Sequence, residues 1–546
     1  MWNFSYQCRD FHQLNLTSAQ ICTFIKNVSA CHDNSAWFPY NELLYCQFAD
    51  YIGWGAFLLV LWWLLLFLFL MITSDQFLCQ SLQVITQTLH LSQNIAGVTF
   101  LAFGNGAPDI FSSIAAVKNA KHGDASLAFG ALFGAGLFVT TVVAGIISII
   151  KPFKLMERPF LRDVIFYMVT LFFAFYVLWK KTITKFECIG FILLYVTYTC
   201  IVIISRYIYV WLKKEEKCPL LDSDDSSTQS ENSEKNIKEF CKAVNNTEIS
   251  GSTSDKEELL SDDEDHNCFQ DFLRAINPME YCDYAEAPWY WKAFYIIKAP
   301  LLFIQLLTIP LISYERPNKG WNRHLNSLHL ITGSLFFVLA TNLHHSYIGH
   351  LPVLVLALLI GSVLAAIVFF TSSYTPPNYY PAFSFLSFLM SVLWIYIVAN
   401  EVVNLLITFG IVFNMSNVVV GVTFLAWGNS LGDLITDITI AKNNNPRTGI
   451  SAVYGGQMFN LVLGIGIPFA ISTWSTQEDF KLVVTLKDFM LAAFLAFTLV
   501  STFISMPILK FKMNRYFGCY LLVLYGLFSV ITLLIEVSVI PTPVIN

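Results

Sequence analysis

Gly97-Val98-Thr99-Phe100-Leu101-Ala102-Phe103-Gly104-Asn105-Gly106-Ala107-Pro108-Asp109 and Gly421-Val422-Thr423-Phe424-Leu425-Ala426-Trp427-Gly428-Asn429-Ser430-Leu431-Gly432-Asp433 are one phrase written twice. Nine of the thirteen positions are identical at a constant offset of 324 (421 − 97). Each copy sets Gly or Pro and a carboxylate inside an apolar stretch long enough to cross a bilayer. Burying a charge in hydrocarbon is costly, so an intramembrane aspartate marks a functional site. Two of them in matching halves, at interrupted helices, are how ion-coupled transporters build a site near the midplane.

The rest of the chain fits a membrane setting. Of its 546 residues 55% are hydrophobic and 13% charged, and the mean hydropathy is +0.58. Runs such as Tyr51–Met71 and Leu351–Phe370 reach the roughly 20 residues that span a bilayer. This composition excludes a soluble protein and predicts an all-α polytopic membrane protein. The net charge of −6 says little about partners, because the acid is concentrated in one segment.

Residues 1–50 differ. They hold four of the twelve cysteines (Cys8, Cys22, Cys31, Cys46) and Asn-x-Ser/Thr sequons at Asn3, Asn15 and Asn27. An even cysteine set beside sequons predicts a small disulfide-bonded, glycosylated lobe in an oxidising compartment. No apolar signal core precedes it, so either Tyr51–Met71 is a signal-anchor or a leader lies upstream. The basic residues are only Arg9 and Lys26, unlike an Arg-rich transit peptide.

Apolar segments at about 51–73, 92–118, 124–150, 162–180 and 186–212 form a first five-helix unit, residues 51–212. Residues 213–288 are rich in Ser, Asp, Glu and Asn and read as an acidic disordered loop; no EF-hand spacing is present. Residues 289–374 hold three further apolar segments near 290–312, 325–343 and 348–370. Residues 375–546 mirror the first unit around the repeated phrase. Two five-helix units joined by an even number of crossings lie inverted. Keeping Arg316/Lys319/Arg323, Lys442/Arg447 and Lys510/Lys512/Arg515 inside requires that 290–312 not span. That segment carries Lys292, Lys298, Pro300 and Pro310, which suit an interfacial piece. The expectation is twelve spans, with thirteen as the alternative.

On a helix, positions four apart share a face. Asn105 and Asp109 form one stripe; Asn429, Asp433 and Asp437 form a longer one. These oxygens are the ligand type of hard cations, and carbonyls released near the glycines, such as those of Ala102 and Ala426, are candidates to join them. The two stripes together offer three carboxylates and two amides at one locus, enough for a divalent cation. Emptied of Ca²⁺, such carboxylates repel, so the site reorients only when other cations occupy it, which is antiport. A second repeated element follows: Phe133-Gly134-Ala135-Gly136-Leu137-Phe138-Val139 against Tyr454-Gly455-Gly456-Gln457-Met458-Phe459-Asn460. Its small residues allow close helix packing, and Gln457 and Asn460 either bond within the protein or meet the ions.

Gly104-Asn105-Gly106-Ala107-Pro108-Asp109 and Gly428-Asn429-Ser430-Leu431-Gly432-Asp433 resemble the two inverted alpha-repeats of the cation/calcium exchanger superfamily, and most closely its mitochondrial sodium/lithium/calcium branch. The resemblance covers about 51–212 and 290–540. It implies that Asp109 and Asp433 bind Ca²⁺, that Asn105 and Asn429 are amide ligands, and that Ser430 is a sodium ligand. It implies exchange of Ca²⁺ for Na⁺ or Li⁺ at the mitochondrial inner membrane. The sequons and cysteines favour a cell-surface or secretory membrane instead. The chain departs from the pattern at Gly106, Ala135, Gly136, Val139 and Gly456, where hydroxyl or amide side chains are expected, and Asp437 is matched in repeat one by Ser113. These losses leave H⁺ open as the counter-ion. No cofactor is expected, since the cations are cargo; the partners are membrane lipid and those cations. Nucleic acid is excluded, and no oligomer is indicated. An intramembrane aspartyl protease would need a Tyr-Asp motif that neither repeat has, so no catalytic residue is assigned. A channel is disfavoured by the inverted repeats. Of the remaining polar groups, His344, His345 and His350 read as a solvated loop, and Glu401 and Asn404 as a gate or polar glue.

Overall fold

The structure, a computed structural model, describes residues 8–12, 14, 16–28, 31, 37–89, 102–120, 123–216, 272–273, 275–278, 288–310, 312, 320–341, 343, 346–348, 351–372, 375–442 and 446–537. Outside these lie the sequons at Asn3 and Asn15, the start of the first repeated phrase, and most of the acidic loop. Arg316, Lys319, His344, His345 and His350 lie outside them too.

The helices in chain order are α1 (Ser18–Asn27), α2 (Ile52–Thr88), α3 (Ala102–Lys118), α4 (Ser126–Ile150), α5 (Glu157–Lys180), α6 (Lys185–Glu216) and α7 (Trp289–Thr308). They continue as α8 (Arg323–Ala340), α9 (Val353–Thr371), α10 (Tyr380–Val412), α11 (Asn417–Lys442), α12 (Pro446–Thr476), α13 (Leu486–Ile508) and α14 (Arg515–Glu536). Among the described residues, eleven helices are long and apolar enough to cross a membrane, including most of α7. The chain divides into two units. One takes Met1–Phe67, Asn105–Thr247 and Val398–Asn546; the other takes Leu68–Gly104 and Glu248–Ile397.

In the first unit, four two-residue strands reveal the symmetry. Strand β1 (Phe153–Lys154) joins α4 to α5, and β2 (Thr182–Ile183) joins α5 to α6. In the second half, β5 (Phe480–Lys481) joins α12 to α13, and β6 (Lys512–Met513) joins α13 to α14. Strand β1 pairs with β6 and β2 with β5, both antiparallel, in the registers Phe153 to Met513 and Thr182 to Lys481. The third–fourth connection of each repeat therefore pairs with the fourth–fifth connection of the other. Strands β1 and β2 sit at opposite ends of α5, about 36 Å apart for 24 residues at 1.5 Å each. Their partners must be equally far apart, so the two five-helix repeats run in opposite senses. Helices α4 and α11 cross in close contact: a Cβ on Gly134 would lie 2.8 Å from Val422 Cα, and one on Gly421 would lie 2.6 Å from Leu127 O. This is the close packing expected of the small residues in the first copy of the second repeated element; in the second copy a Cβ on Gly456 would meet nothing within 4 Å.

The N-terminal lobe also belongs to this unit. Cys8 pairs with Cys31 and Cys22 with Cys46, each with Cα atoms 5.0 Å apart. Phe11 packs edge-on against Tyr45 and Phe24 in the small core that results.

In the second unit, α2 widens into a π-turn at Thr73–Leu78. Gln305 Nε2 donates to Thr73 Oγ1 at 2.7 Å, and Ile72, Phe77, Leu306, Ile309 and Met390 form a core. Lys298, which counts against a spanning α7 on composition, is buried with Asp75 as an electrostatic partner. Helices α8 and α9 are joined by a hairpin of β3 (Tyr347–Ile348) and β4 (Leu351–Pro352).

The helices run through both repeated motifs where breaks are expected. Helix α3 continues through Gly104, Gly106 and Pro108. The irregular turn of the second copy falls earlier, as a π-turn at Gly421–Leu425. Proline at 108 removes the donor to the carbonyl four residues back, which is that of Gly104 rather than Ala102. Ser74 Oγ supplies the replacement at 2.8 Å.

Candidate cation site

The site is assembled in the first unit from α3, α11 and α12. Asp109 projects from α3 and is buried. Asn460 on α12 donates Nδ2–H to Asp109 Oδ2 at 2.6 Å. Asn429 on α11 hydrogen-bonds the same carboxylate. The aspartate of one repeat is thus held by amides of the other. Gln457 precedes Asn460 by three residues, on the same face of α12, and donates Nε2–H to Asp433 Oδ2 at 3.0 Å. Asp437, one turn beyond Asp433, is buried and interacts with it electrostatically.

The two amides that hold Asp109 spend their N–H groups on it and leave their carbonyl oxygens over. Asn429 Oδ1, Asn460 Oδ1 and Ser430 Oγ are all buried without a hydrogen-bond partner in the structure. Native interiors rarely leave buried polar atoms unpaired. Two of the three, those of Asn429 and Asn460, belong to the amides that hold Asp109. The donor set of carboxylate, amide and hydroxyl oxygens suits a hard ion such as Ca²⁺ or Na⁺.

The three carboxylates expected at one locus are not drawn into a single cage. Among the described residues no three Asp, Glu, His or Cys side chains converge as a metal cluster. The site has two lobes instead: Asp109 with Asn429 and Asn460, and Asp433 with Gln457 and Asp437. Asn105 lies one turn before Asp109 on the same face of α3, half-buried. Ser113, the counterpart of Asp437, gives its hydroxyl to Gly464 O of α12 at 2.6 Å and so ties the helices together. The absence of a serine at 106 has a steric cause. A Cβ there would collide with Asn460 Oδ1 and come within 2.9 Å of the Phe459 ring.

Two clusters carry more than their sequence suggests. Glu401 is fully buried and accepts from Trp37 N at 3.0 Å and from the Tyr40 hydroxyl, while Trp62 Nε1 donates to Tyr40 Oη at 2.9 Å. It fastens the disulfide-bonded lobe to α10, the polar-glue role. Asp163 is buried, accepts from Arg162 Nε at 2.9 Å and from the Tyr198 hydroxyl at 3.0 Å. An adjacent Arg-Asp pair reads from sequence as loop charge, so this network leaves no signal there.

Inverted five-helix repeats around paired intramembrane aspartates define a secondary transporter of the alternating-access class. The chain belongs to the sodium/calcium exchanger protein family, whose match covers residues 59–204 and 383–534. It is 38% identical over 541 residues to the mitochondrial sodium/calcium exchanger protein of Homo sapiens, covering 98% of this chain and 90% of that one. The protein of the same description in Gallus gallus is 37% identical over 560 residues, covering 98% and 91%. Cation/calcium exchanger 5 of Arabidopsis thaliana is 28% identical over 522 residues, covering 93% and 87%. A solved structure of the sodium-calcium exchanger NCX_Mj aligns over 86% of this chain and 97% of its own, with 14% identity and a TM-score of 0.37.

Proposed function

We propose that this protein is an antiporter that moves Ca²⁺ across the mitochondrial inner membrane in exchange for Na⁺ or Li⁺. The observation that carries the reading is the crossed arrangement of the site. The carboxylate of repeat one is held by amides of repeat two, whose own oxygens are buried and unpaired. Asn105, Asp109, Asn429, Ser430, Asp433, Asp437, Gln457 and Asn460 form the ligand set, with Gln457 and Asn460 acting by positioning the two aspartates. The names of the relatives support sodium, calcium and the mitochondrion.

The mechanism follows from charge. Asp433 and Asp437 are one turn apart, about 6 Å, so two ionised carboxylates repel by roughly 3 kcal/mol at an effective dielectric of about 20. Ca²⁺ removes that repulsion and accepts the free amide and hydroxyl oxygens. Once Ca²⁺ leaves, the site stays charged until monovalent cations enter, and it reorients only when filled. Ala135, Gly136 and Val139 offer no hydroxyl or amide in the first half. This favours few sodium ions per Ca²⁺ and keeps H⁺ as a second candidate driver.

Inverted five-helix repeats require an even number of crossings between them, so one of α7, α8 and α9 does not cross. By length and composition α7 and α9 are candidates to cross and α8 is not, whereas the positive-inside tendency of Arg316, Lys319 and Arg323 makes α7 the helix that does not cross and gives twelve spans. The working parts are then the lobe 1–50, repeats 51–212 and 375–546, the loop 213–288, and the connecting helices 289–374. The lobe faces the intermembrane space and the loop faces the matrix. Efflux of Ca²⁺ from proteoliposomes under separate Na⁺, Li⁺ and H⁺ gradients tests the reading. Asp109→Asn and Asp433→Asn should each abolish flux; unchanged flux in both removes the site, and flux driven by a pH gradient without Na⁺ replaces the counter-ion.

A further inference from the structure

Tyr167 lies on α5, outside both copies of the repeated phrase and outside every residue assigned to the site. It is fully buried, yet its hydroxyl has no hydrogen-bond partner in the structure. A phenylalanine would fill the same volume without burying an unpaired oxygen, which is costly. Ten residues into α5, about 15 Å along the helix, the side chain sits near mid-span. Its hydroxyl abuts Gly136 of α4, where a Cβ would collide with it.

The internal symmetry says what that place is for. Gly136 in the first repeat corresponds to Gln457 in the second, and Gln457 reaches Asp433. The first repeat has no side chain at that position, and the phenol enters it from a different helix. Asp109, the counterpart of Asp433, lies within electrostatic range of the Tyr167 hydroxyl, as does Tyr454 of α12.

We propose that the Tyr167 hydroxyl is a cation ligand in the first-repeat half of the site, supplied by α5 in place of the side chain missing at 136. The proposal rests on the antiport reading. A phenol oxygen is a neutral hard donor, as serine is, so it adds coordination without adding charge. It therefore tunes cation affinity and selectivity and leaves the number of charges moved unchanged.

The test compares wild type, Asp109→Asn, Tyr167→Phe and Gly136→Ser/Tyr167→Phe, each as the full chain in proteoliposomes. Tyr167→Phe should raise the half-saturating Ca²⁺ concentration about five- to tenfold, the worth of one neutral oxygen contact. Maximal flux should change less than about twofold. The double variant, which returns a hydroxyl from α4 to the vacated space, should recover part of the affinity. Without Ca²⁺, Tyr167→Phe should melt at or above the wild-type temperature, and Ca²⁺ should raise its Tm by less. Wild-type half-saturation and Na⁺/Li⁺ selectivity in Tyr167→Phe would overturn the proposal. So would a fall in flux and ion-free Tm together with unchanged half-saturation, since that is a structural hydroxyl. Flux indifferent to Asp109→Asn would remove the first-repeat half of the site on which the proposal rests, and the ligand role with it.

Discussion

Gly106→Ala adds one methyl group and should cost far more than a helix substitution ordinarily does. In an exposed helix Ala is favoured over Gly by about 1 kcal/mol. Here the new Cβ would occupy the position of Asn460 Oδ1 and lie 2.9 Å from the Phe459 ring. Asn460 would have to turn away, breaking its 2.6 Å bond to Asp109. A hydrogen bond to a charged group contributes roughly 1.5–3 kcal/mol, so the half-saturating Ca²⁺ concentration should rise about 10- to 100-fold. Gly432→Ala provides the control: its Cβ would meet nothing within 4 Å, and its half-saturation should stay within about twofold. Both are read as Ca²⁺ efflux against internal Ca²⁺ in proteoliposomes. Because the two effects share one contact, Gly106→Ala/Asn460→Ala should be little worse than Asn460→Ala alone. Wild-type half-saturation in Gly106→Ala, or full additivity in the double variant, would refute the steric argument.

Glu401→Gln should loosen the lobe, because three groups around Tyr40 and Trp37 are organised by the carboxylate; a loss of about 2 kcal/mol should appear as faster proteolysis of residues 8–47. Opening the Cys22–Cys46 link by Cys22→Ser/Cys46→Ser removes a 24-residue loop closure. That should lower stability by about 3 kcal/mol, and reductant on wild type, which also opens Cys8–Cys31, should lower Tm further. Lys481→Cys and Lys512→Cys, in a background lacking Cys200 and Cys519 and the loop cysteines Cys218, Cys241, Cys268 and Cys282, should react with an impermeant maleimide from opposite faces of the membrane. Labelling of both from one face would contradict the inverted arrangement.

Much of this architecture is written in the chain at long range. The offset of 324 exposes the duplication. Carboxylates inside apolar runs expose the site, because hydrocarbon admits a charge only at high cost and a chain keeps one there for function. The strands that fix the inversion leave no trace, since two residues carry no periodicity. The mismatches between repeats are visible as letters but not as causes. Gly106 reads as a lost ligand, whereas the structure shows it making room for Asn460. Ser113 reads as a lost carboxylate, whereas its hydroxyl ties α3 to Gly464. Tyr167 is the least legible, because an aromatic residue in an apolar helix looks like packing until the surroundings of its oxygen are known.

The exchanged pairing of β1 with β6 and β2 with β5 has the form of an isologous interface, in which one contact occurs twice about a two-fold axis. In a dimer of identical chains, every substitution would strike both ends of that axis at once. Here the two halves share a single polypeptide, and each end answers to its own codons. A residue can be altered at one membrane face while its twin is kept at the other, so the two half-cycles of transport become separately addressable by mutation.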